Sequence, residues 1–157
     1  GITMYGIDAA DNGLSYAKDW ATQEGVALNL QTGDMAKLPY ADNFFDLIIA
    51  WNVIYHGTID FIQQTVQEIE RCLKPGGKLI CTIISHSHKR YGRGEEIEPN
   101  TFVIPGAGEE SHPHHYFDRV EVEQLLHNFT LQRCEDVDHA LDQSGSYHWQ
   151  IYAEKTQ

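Results

Sequence analysis

The sequence predicts an α/β fold in which a mostly parallel sheet carries helices on both faces. Strand and helix patterns alternate along almost the whole chain, one helix has a regular apolar stripe, and residues 46–51 are apolar on both faces. Such a two-sided apolar run is typical of a parallel strand covered by helices on each side. We therefore expect it in the middle of a sheet with right-handed crossovers.

Three elements are predicted in the first quarter of the chain. A short apolar strand over residues 2–7 is followed by a helix over 13–24, whose apolar residues recur at helical spacing. Asp11 or Asn12 can cap this helix, because their side-chain oxygens accept hydrogen bonds from free amides at a helix start. A second short strand covers residues 28–31.

The most regular helical pattern lies in the middle of the chain. Apolar side chains recur there at intervals of three and four residues, up to a Lys-Pro-Gly-Gly turn at 74–77. Because proline cannot continue a helix and glycine adopts positive φ readily, the helix should end at this turn. The apolar positions are Ile59, Ile62, Val66, Ile69 and Leu73.

The rest of the chain contains three more strands and another helix. Asp118 and Glu121 have the spacing of a capping box, in which each side chain accepts from the other residue's backbone amide, and this predicts a helix over 119–128. The predicted strands cover residues 79–84, 131–137 and 147–153.

Residues 85–117 form a long connection with little periodicity that is rich in His, Gly, Glu and Pro. Connections longer than about 12 to 15 residues inside a compact domain are commonly lids or binding loops. Because this one leaves the carboxyl end of a central strand, we expect a lid or substrate loop within a single domain over residues 1–157.

Composition limits the classes of partner and the location. The 157 residues include 23 acidic and 11 basic ones, a net charge of −12 that repels phosphate backbones and argues against nucleic acid. No run is apolar enough to span a bilayer, so we expect no membrane partner and a cytoplasmic location. The three cysteines lack paired spacing and are expected to be buried, reduced thiols.

Polar and aromatic residues follow the predicted strands, at the ends where open α/β sheets bind ligands. The carboxylate of Asp8 can accept hydrogen bonds from a ribose diol, Asp34 can accept from the amine of an adenine, and Gly33 lets the backbone approach the ring. Each feature alone is weak, since an acid at a strand end is about as often a helix cap. The other residues at these ends are Trp51, Asn52, Tyr55, His56, Ser85 and His86.

These segments resemble class I S-adenosylmethionine-dependent methyltransferases of the small-molecule type, often labelled methyltransferase type 11. The resemblance implies a Rossmann-like methyltransferase fold, S-adenosyl-L-methionine as cofactor and methyl transfer to a small-molecule acceptor. It is carried by YGID at 5–8, GDMAKLPYADNFFDLIIAWNVIYH at 33–56, LKPGGKLI at 73–80 and HYFDRVEVEQLLHNF at 115–129.

The resemblance also implies which residues bind the cofactor. Asp8, with Ala9 beside it, would hold the ribose hydroxyls, while Asp34 and Met35 would contact the adenine next to Gly33. The methionine part would lie along Ala50, Trp51 and Asn52. Tyr55 could present its ring face to the sulfonium, a favourable cation–π arrangement.

The family's first strand and its GxGxG turn are absent from this sequence. In the family's strand order that strand lies between those ending at Asp8 and Trp51, so its loss would leave backbone groups unpaired, at roughly 1 to 3 kcal/mol for each buried one. The two flanking strands could pair directly, another chain could supply the strand, or the sequence could be a fragment of a longer protein. We expect an N-terminally incomplete domain that associates as a homo-oligomer or with a partner chain, and whose activity alone is impaired.

Catalytic residues are poorly marked, because methyl transfer from a sulfonium mainly requires alignment of the nucleophile. A general base is needed only if the acceptor carries a proton, and His56, His86 and His115 are the candidates near the predicted crevice. The segment SHPHHYF at 111–117 raises the alternative of a zinc site, yet it has no cysteine and no helical His pair. We therefore predict no metal.

Two other functional classes stay open. One is a non-catalytic fragment or binding module that keeps the fold. The other is a nicotinamide-dependent oxidoreductase, since an acidic residue at the end of a strand also binds the ribose of a nicotinamide cofactor.

Overall fold

The computed structural model describes residues 1–106, 108–139 and 145–156. The chain forms two compact units, residues 1–40 and 41–157. Two compact units are compatible with the single predicted domain, which stays a prediction.

The first unit is a β-α-β arrangement. It consists of β1 (Met4–Asp8), α1 (Asp11–Gln23) and β2 (Leu28–Thr32). The two strands pair in parallel, as predicted, with Asp8 opposite Thr32.

The predicted cap of α1 is wrong. Ala10 occupies the capping position without a side-chain hydrogen bond, and Asp11 lies in the first helical turn. Asn12 likewise lies inside the helix. The reason is that the carboxylate of Asp8 accepts the Ala10 amide at 2.8 Å, so the helix begins earlier than its apolar pattern suggests.

The second unit is built on a four-stranded mixed sheet. Its strand order is β3-β4-β9-β8, in which β3 and β4 are parallel and the other two pairs are antiparallel. The α/β class is confirmed, with a larger antiparallel share than the alternating pattern indicated. The strands are β3 (Phe45–Ala50), β4 (Leu73–Ile84), β8 (Phe129–Asp138) and β9 (Tyr147–Lys155).

The predicted central position of residues 46–51 is wrong, because β3 lies at the edge of this sheet. Leu47 and Ile49 on this strand are 45% and 63% exposed. The apolar pattern was that of a strand with neighbours on both sides, whereas β3 pairs only with β4 among the strands that the structure describes.

The two remaining helices follow their sequence signals. Helix α2 (Ile59–Cys72) buries Ile62, Val66 and Ile69 as predicted. The predicted turn at 74–77 is wrong, because the backbone is already extended at Leu73 and residues 73–84 form β4. Helix α3 (Arg119–Leu125) has the predicted capping box and ends before residue 128.

Residues 85–117 contain regular structure that the sequence pattern did not reveal. A three-stranded antiparallel sheet forms from β5 (Glu95–Glu98), β6 (Thr101–Val103) and β7 (His114–His115), and a 3₁₀ helix covers Gly108–Ser111. Strands of four, three and two residues are too short to show a period of two. The role of this segment as a lid or substrate loop stays a prediction.

The expectation of buried thiols holds for two of the three cysteines. The three cysteines are free, with Cys72 and Cys81 buried and Cys134 partly buried. Each helix in the described part of the chain is too short or too polar to traverse a lipid bilayer.

Ile62 is a direct test of the α2 packing, because its side chain is fully buried and the helix lies against β4. Ile62→Ala should lower the free energy of unfolding by about 2 to 5 kcal/mol, since it removes buried apolar atoms and leaves a cavity. The neighbouring Gln63 is exposed, so Gln63→Ala should change the free energy of unfolding by less than about 0.5 kcal/mol. Urea denaturation measures both, and equal effects would contradict the packing described here.

Candidate functional site

The predicted nucleoside-binding residues of the first unit lie together at one edge of the β1–β2 sheet. The Gly33 amide donates to the Asp8 carbonyl at 3.0 Å, which places the end of β2 beside the end of β1. Asp34 follows directly, and its Oδ1 accepts the Ala36 amide at 2.9 Å. Asp8 and Asp34 therefore follow adjacent parallel strands, as the sequence predicts.

The carboxylate of Asp8 lies against the first turn of α1. Its Oδ1 accepts the Ala10 amide, and a Cβ atom added at Gly13 would come within 2.7 Å of its Oδ2. Glycine at position 13 therefore leaves room for this carboxylate. Asp8 starts the helix and still has Oδ2 lone pairs for a ligand.

The other two residues of this group differ in exposure. Ala9 is exposed beside Asp8, whereas Met35 is partly buried after Asp34. Their assignment to the cofactor stays a prediction.

The first unit also contains a cavity of about 700 Å³, which does not coincide with these strand ends. Ala21, Leu28 and Leu30 contribute apolar side chains to its lining, together with Tyr5 and Tyr40. Asp8, Gly33 and Asp34 do not line it. Polar side chains line it as well, namely Lys18, Thr22, Asn29 and Gln31.

In the second unit, the chain turns sharply at the carboxyl end of β3. Ala50 is buried, Trp51 is half-exposed, and Asn52 adopts a φ of 56°. This left-handed conformation is uncommon outside glycine, although Asn tolerates it better than most residues. The buried hydroxyl of Thr82 on β4 holds it in place, accepting from the Asn52 amide at 2.7 Å and donating to its Oδ1 at 2.9 Å.

Tyr55 and His56 lie beyond this turn and meet His114 of β7. The rings of Tyr55 and His56 stack at 4.6 Å between centroids, and those of His56 and His114 are 4.5 Å apart. A cavity of about 450 Å³ lies beside His56, with Phe61 and Pro113 in its lining. The structure thus combines one predicted base with an apolar recess.

Three further histidines extend this group, namely His88, His139 and His148. His148 lies 5.6 Å from His88 and 4.9 Å from His139 between ring centroids, and His139 stacks on Trp51 at 5.7 Å. The three histidines lie far apart in sequence and share no motif, so no spacing pattern could have grouped them.

Burial keeps two of these histidines neutral. It lowers the pKa of His88 to about 4, with a further contribution from the neighbouring His148. The Nδ1 of His88 accepts the Arg90 amide at 3.2 Å, which also favours the neutral ring. Burial likewise lowers the pKa of His148.

The other two predicted bases, His86 and His115, flank one carboxylate. His86 Nε2 lies 3.6 Å from Glu121 Oε2, and His115 Nε2 lies 3.9 Å from Glu121 Oε1. The structure therefore separates the three candidates into His56, beside the cavity, and a pair around Glu121. Their catalytic roles stay predictions.

A family model described as "Methyltransferase domain" matches residues 1–81. The ubiquinone biosynthesis O-methyltransferase of Bartonella bacilliformis is 27% identical over 92 residues, which cover 59% of this chain and 36% of that protein. The chain thus spans about a third of the length of the curated relatives it matches.

Solved structures share the fold. A SAM-dependent methyltransferase from Methanosarcina mazei matches with a TM-score of 0.81 at 20% identity, covering 98% of this chain and 82% of that one. The 1,6-didemethyltoxoflavin-N1-methyltransferase of Burkholderia thailandensis, solved with 1,6-didemethyltoxoflavin and S-adenosylhomocysteine, matches with a TM-score of 0.70 at 16% identity, covering 98% and 61%. These likenesses confirm the predicted Rossmann-like fold.

The low pKa of His88 predicts a specific acid sensitivity. Between pH 6.5 and pH 4 the unfolded chain binds more protons at this position than the folded chain does, so the free energy of unfolding falls as the pH falls. The free energy of unfolding should fall by about 1 to 3 kcal/mol between pH 7 and pH 4 because of His88. Urea midpoints across this range measure it.

His88→Gln should flatten this part of the pH dependence, because glutamine does not titrate and its oxygen can still accept the Arg90 amide. Exposed His127 provides the matched control, and His127→Gln should leave the profile unchanged. An unchanged profile in His88→Gln would show that His88 is not a source of the acid sensitivity.

Proposed function

The chain belongs to the methyltransferase-domain family, and we propose that it takes part in methyl transfer from S-adenosyl-L-methionine to a small-molecule acceptor. The observation that carries this proposal is the pair of acids, Asp8 and Asp34, after adjacent parallel strands within the matched region. The cofactor supplies the methyl group, and the residues of this chain bind and orient the two reactants.

In this proposal, the exposed strand ends of the first unit bind the nucleoside. Asp8 accepts from the ribose hydroxyls through Oδ2, because its Oδ1 already accepts the Ala10 amide. Asp34 accepts from the adenine amine, and Gly33 leaves space for the ring. Ala9 contacts the ribose beside Asp8, and Met35 contacts the adenine beside Asp34.

The second unit holds the methionine part and the acceptor in this proposal. Ala50, Trp51 and Asn52 border the methionine part, and the fixed turn at Asn52 orients them. Tyr55 stays the candidate to face the sulfonium, and because its ring is buried against His56, this role requires the ring to become accessible. The acceptor's nucleophile attacks the methyl carbon while the carbon–sulfur bond breaks toward sulfur, and His56 takes the acceptor's proton where there is one.

A small acceptor is supported by the size and lining of the recess beside His56. Its volume of about 450 Å³ lies within the range of small-molecule sites, roughly 300 to 1,000 Å³. The net charge of −12 argues against a nucleic acid in its place. His86 and His115 stay secondary candidates for the base, since His115 is almost completely buried.

Cofactor binding by these 157 residues alone is weak in this proposal, because the sequence has no GxGxG turn to hold the methionine end. Among the described strands β3 pairs only with β4, and this supports association with a second copy or a partner chain. An edge strand offers unpaired backbone groups, and here it also carries exposed Leu47 and Ile49.

Asp8→Asn tests the cofactor assignment with little disturbance of the fold, because asparagine can still accept the Ala10 amide. Loss of the charge should weaken S-adenosylhomocysteine binding about 10- to 100-fold, as expected for a hydrogen bond to a charged group. Asp19→Asn on the exposed face of α1 is the control and should bind normally. Isothermal titration calorimetry measures all three proteins.

The same titration with NAD separates the rival classes. Heat with NAD and none with S-adenosylhomocysteine would indicate an oxidoreductase instead. Silence with both ligands, at ligand concentrations high enough to detect weak binding, would favour a binding module that keeps the fold without turnover.

Ile49→Lys tests association through β3. We expect a solution mass above that of one chain for the unchanged protein, and a shift toward the single chain in Ile49→Lys, since a lysine on an edge strand opposes strand pairing. Val120 on α3 is 57% exposed, and Val120→Lys is the matched control. Light scattering coupled to size exclusion measures the mass; a single-chain mass for the unchanged protein would refute self-association.

A further inference from the structure

Three polar side chains converge where the end of β4 meets the start of α3. One nitrogen or oxygen atom each from His86, Asp118 and Glu121 lies within 4.8 Å of the other two. These are atoms that bind metal ions, although exposed acids alone do not make a metal site. A second feature of the same place points to a ligand.

That feature is the unsatisfied ring nitrogen of His115. The residue is 3% exposed, and its Nε2 is buried without a hydrogen-bond partner among the described residues. This nitrogen lies 3.9 Å from Glu121 Oε1. A buried polar atom left without a partner costs about 1 to 3 kcal/mol, so such atoms are rare without a reason.

The neighbours of His115 determine which ring nitrogen carries the proton. Thr101 donates its single hydroxyl proton to Glu98 Oε1 at 2.9 Å. At 2.7 Å from His115 Nδ1, the same hydroxyl can therefore only accept, which requires a proton on Nδ1. With the proton on Nδ1, the Nε2 atom of the neutral ring carries a lone pair.

His115 Nε2 and the carboxylate of Glu121 are two electron-rich groups 3.9 Å apart, and a cation between them would relieve their repulsion. We propose that His86, His115, Asp118 and Glu121 form a site for a divalent transition-metal ion. Two imidazole nitrogens and two carboxylates suit Zn²⁺ in tetrahedral coordination.

Three of the four ligand atoms are already close together, within 4.8 Å of one another in His86, Asp118 and Glu121. With bonds of about 2.0 to 2.1 Å, ligand atoms in a tetrahedral site are about 3.3 Å apart. The His86–Glu121 and His115–Glu121 contacts, at 3.6 and 3.9 Å, exceed this spacing by a few tenths of an ångström and run to different oxygens of Glu121. His115 is not in the group of three whose atoms all lie within 4.8 Å of one another, so ligation by all four residues requires a larger shift of its side chain. One bond opposes binding: His86 Nε2 lies 3.1 Å from the Tyr116 carbonyl, and ligation would replace that contact.

The groups around the ligands hold them in orientation, as is usual around metal sites. Glu121 Oε1 accepts from Asn100 Nδ2 at 2.9 Å, and Oε2 accepts the Asp118 amide at 3.0 Å. His115 Nδ1 donates to Thr101, which is held by Glu98. The side chains of His86 and Glu121 are 27% and 29% exposed, which gives an ion access from solvent.

A bound ion would join three elements that are distant in sequence. His86 follows β4, His115 belongs to β7, and Asp118 and Glu121 begin α3. The ion would therefore hold both ends of the segment 85–117 against the start of α3. This inference does not depend on methyl transfer, and its test uses metal binding alone.

Titration of the full chain with Zn²⁺, together with the visible spectrum of the Co²⁺-loaded protein, tests the proposal. We expect one ion per chain and Co²⁺ bands typical of tetrahedral coordination. Asp118→Asn and Glu121→Gln are the sharpest variants, because asparagine still caps a helix and glutamine still completes a capping box. Each should lose at least tenfold in affinity while circular dichroism stays unchanged, and His86→Ala should do the same.

His112→Ala and His127→Ala are the controls, since both histidines are exposed and outside the cluster. They should bind Zn²⁺ as the unchanged protein does. Absence of Zn²⁺ binding would overturn the site, as would equal losses in the controls, which would assign the ion to surface histidines. Unchanged binding in Asp118→Asn, Glu121→Gln and His86→Ala would overturn it as well.

Discussion

Parallel pairing of neighbouring strands is the constraint on which the proposed site depends. It places Asp8 opposite Thr32 in one unit and Ala50 opposite Cys81 in the other, so that in each pair the two carboxyl ends lie at the same edge. Parallel strands need a crossover connection, which α1 and α2 provide. A slip of one residue would turn the apolar faces outward, so core packing fixes the register and with it the position of the polar residues.

Elements with local signals could be predicted from the sequence, and elements that depend on distant partners could not. The stripe of α2 and the capping box of α3 are encoded within one or two helical turns, and both are present. The edge position of β3 depends on which strands are available to pair, which its apolar pattern does not contain. The β5–β7 sheet escaped prediction because its strands are too short to show a period.

The same distinction applies to the candidate site. Asp8 and Asp34 could be found because each directly follows a recognisable strand. His88 and His148 could not, since they approach only through the pairing of β4 with β9, in which Ile84 lies opposite His148. Which ring nitrogen of His115 carries the proton is harder still to predict from sequence, because it depends on which group accepts the hydroxyl proton of Thr101. Long-range contacts thus determine which of nine histidines are neutral, buried or unsatisfied.

In the proposed association through β3, charge and strand pairing act at different distances. A net charge of −12 repels other copies of the chain, but salt screens this repulsion beyond about 8 Å at physiological ionic strength. Backbone hydrogen bonds and contacts of Leu47 and Ile49 act only at direct contact, where a well-matched strand gains many interactions at once. Non-specific encounters between chains form few of these hydrogen bonds and contacts, and the charge repulsion still opposes them. The charge therefore disfavours disordered aggregation while permitting a strand that fits the β3 edge.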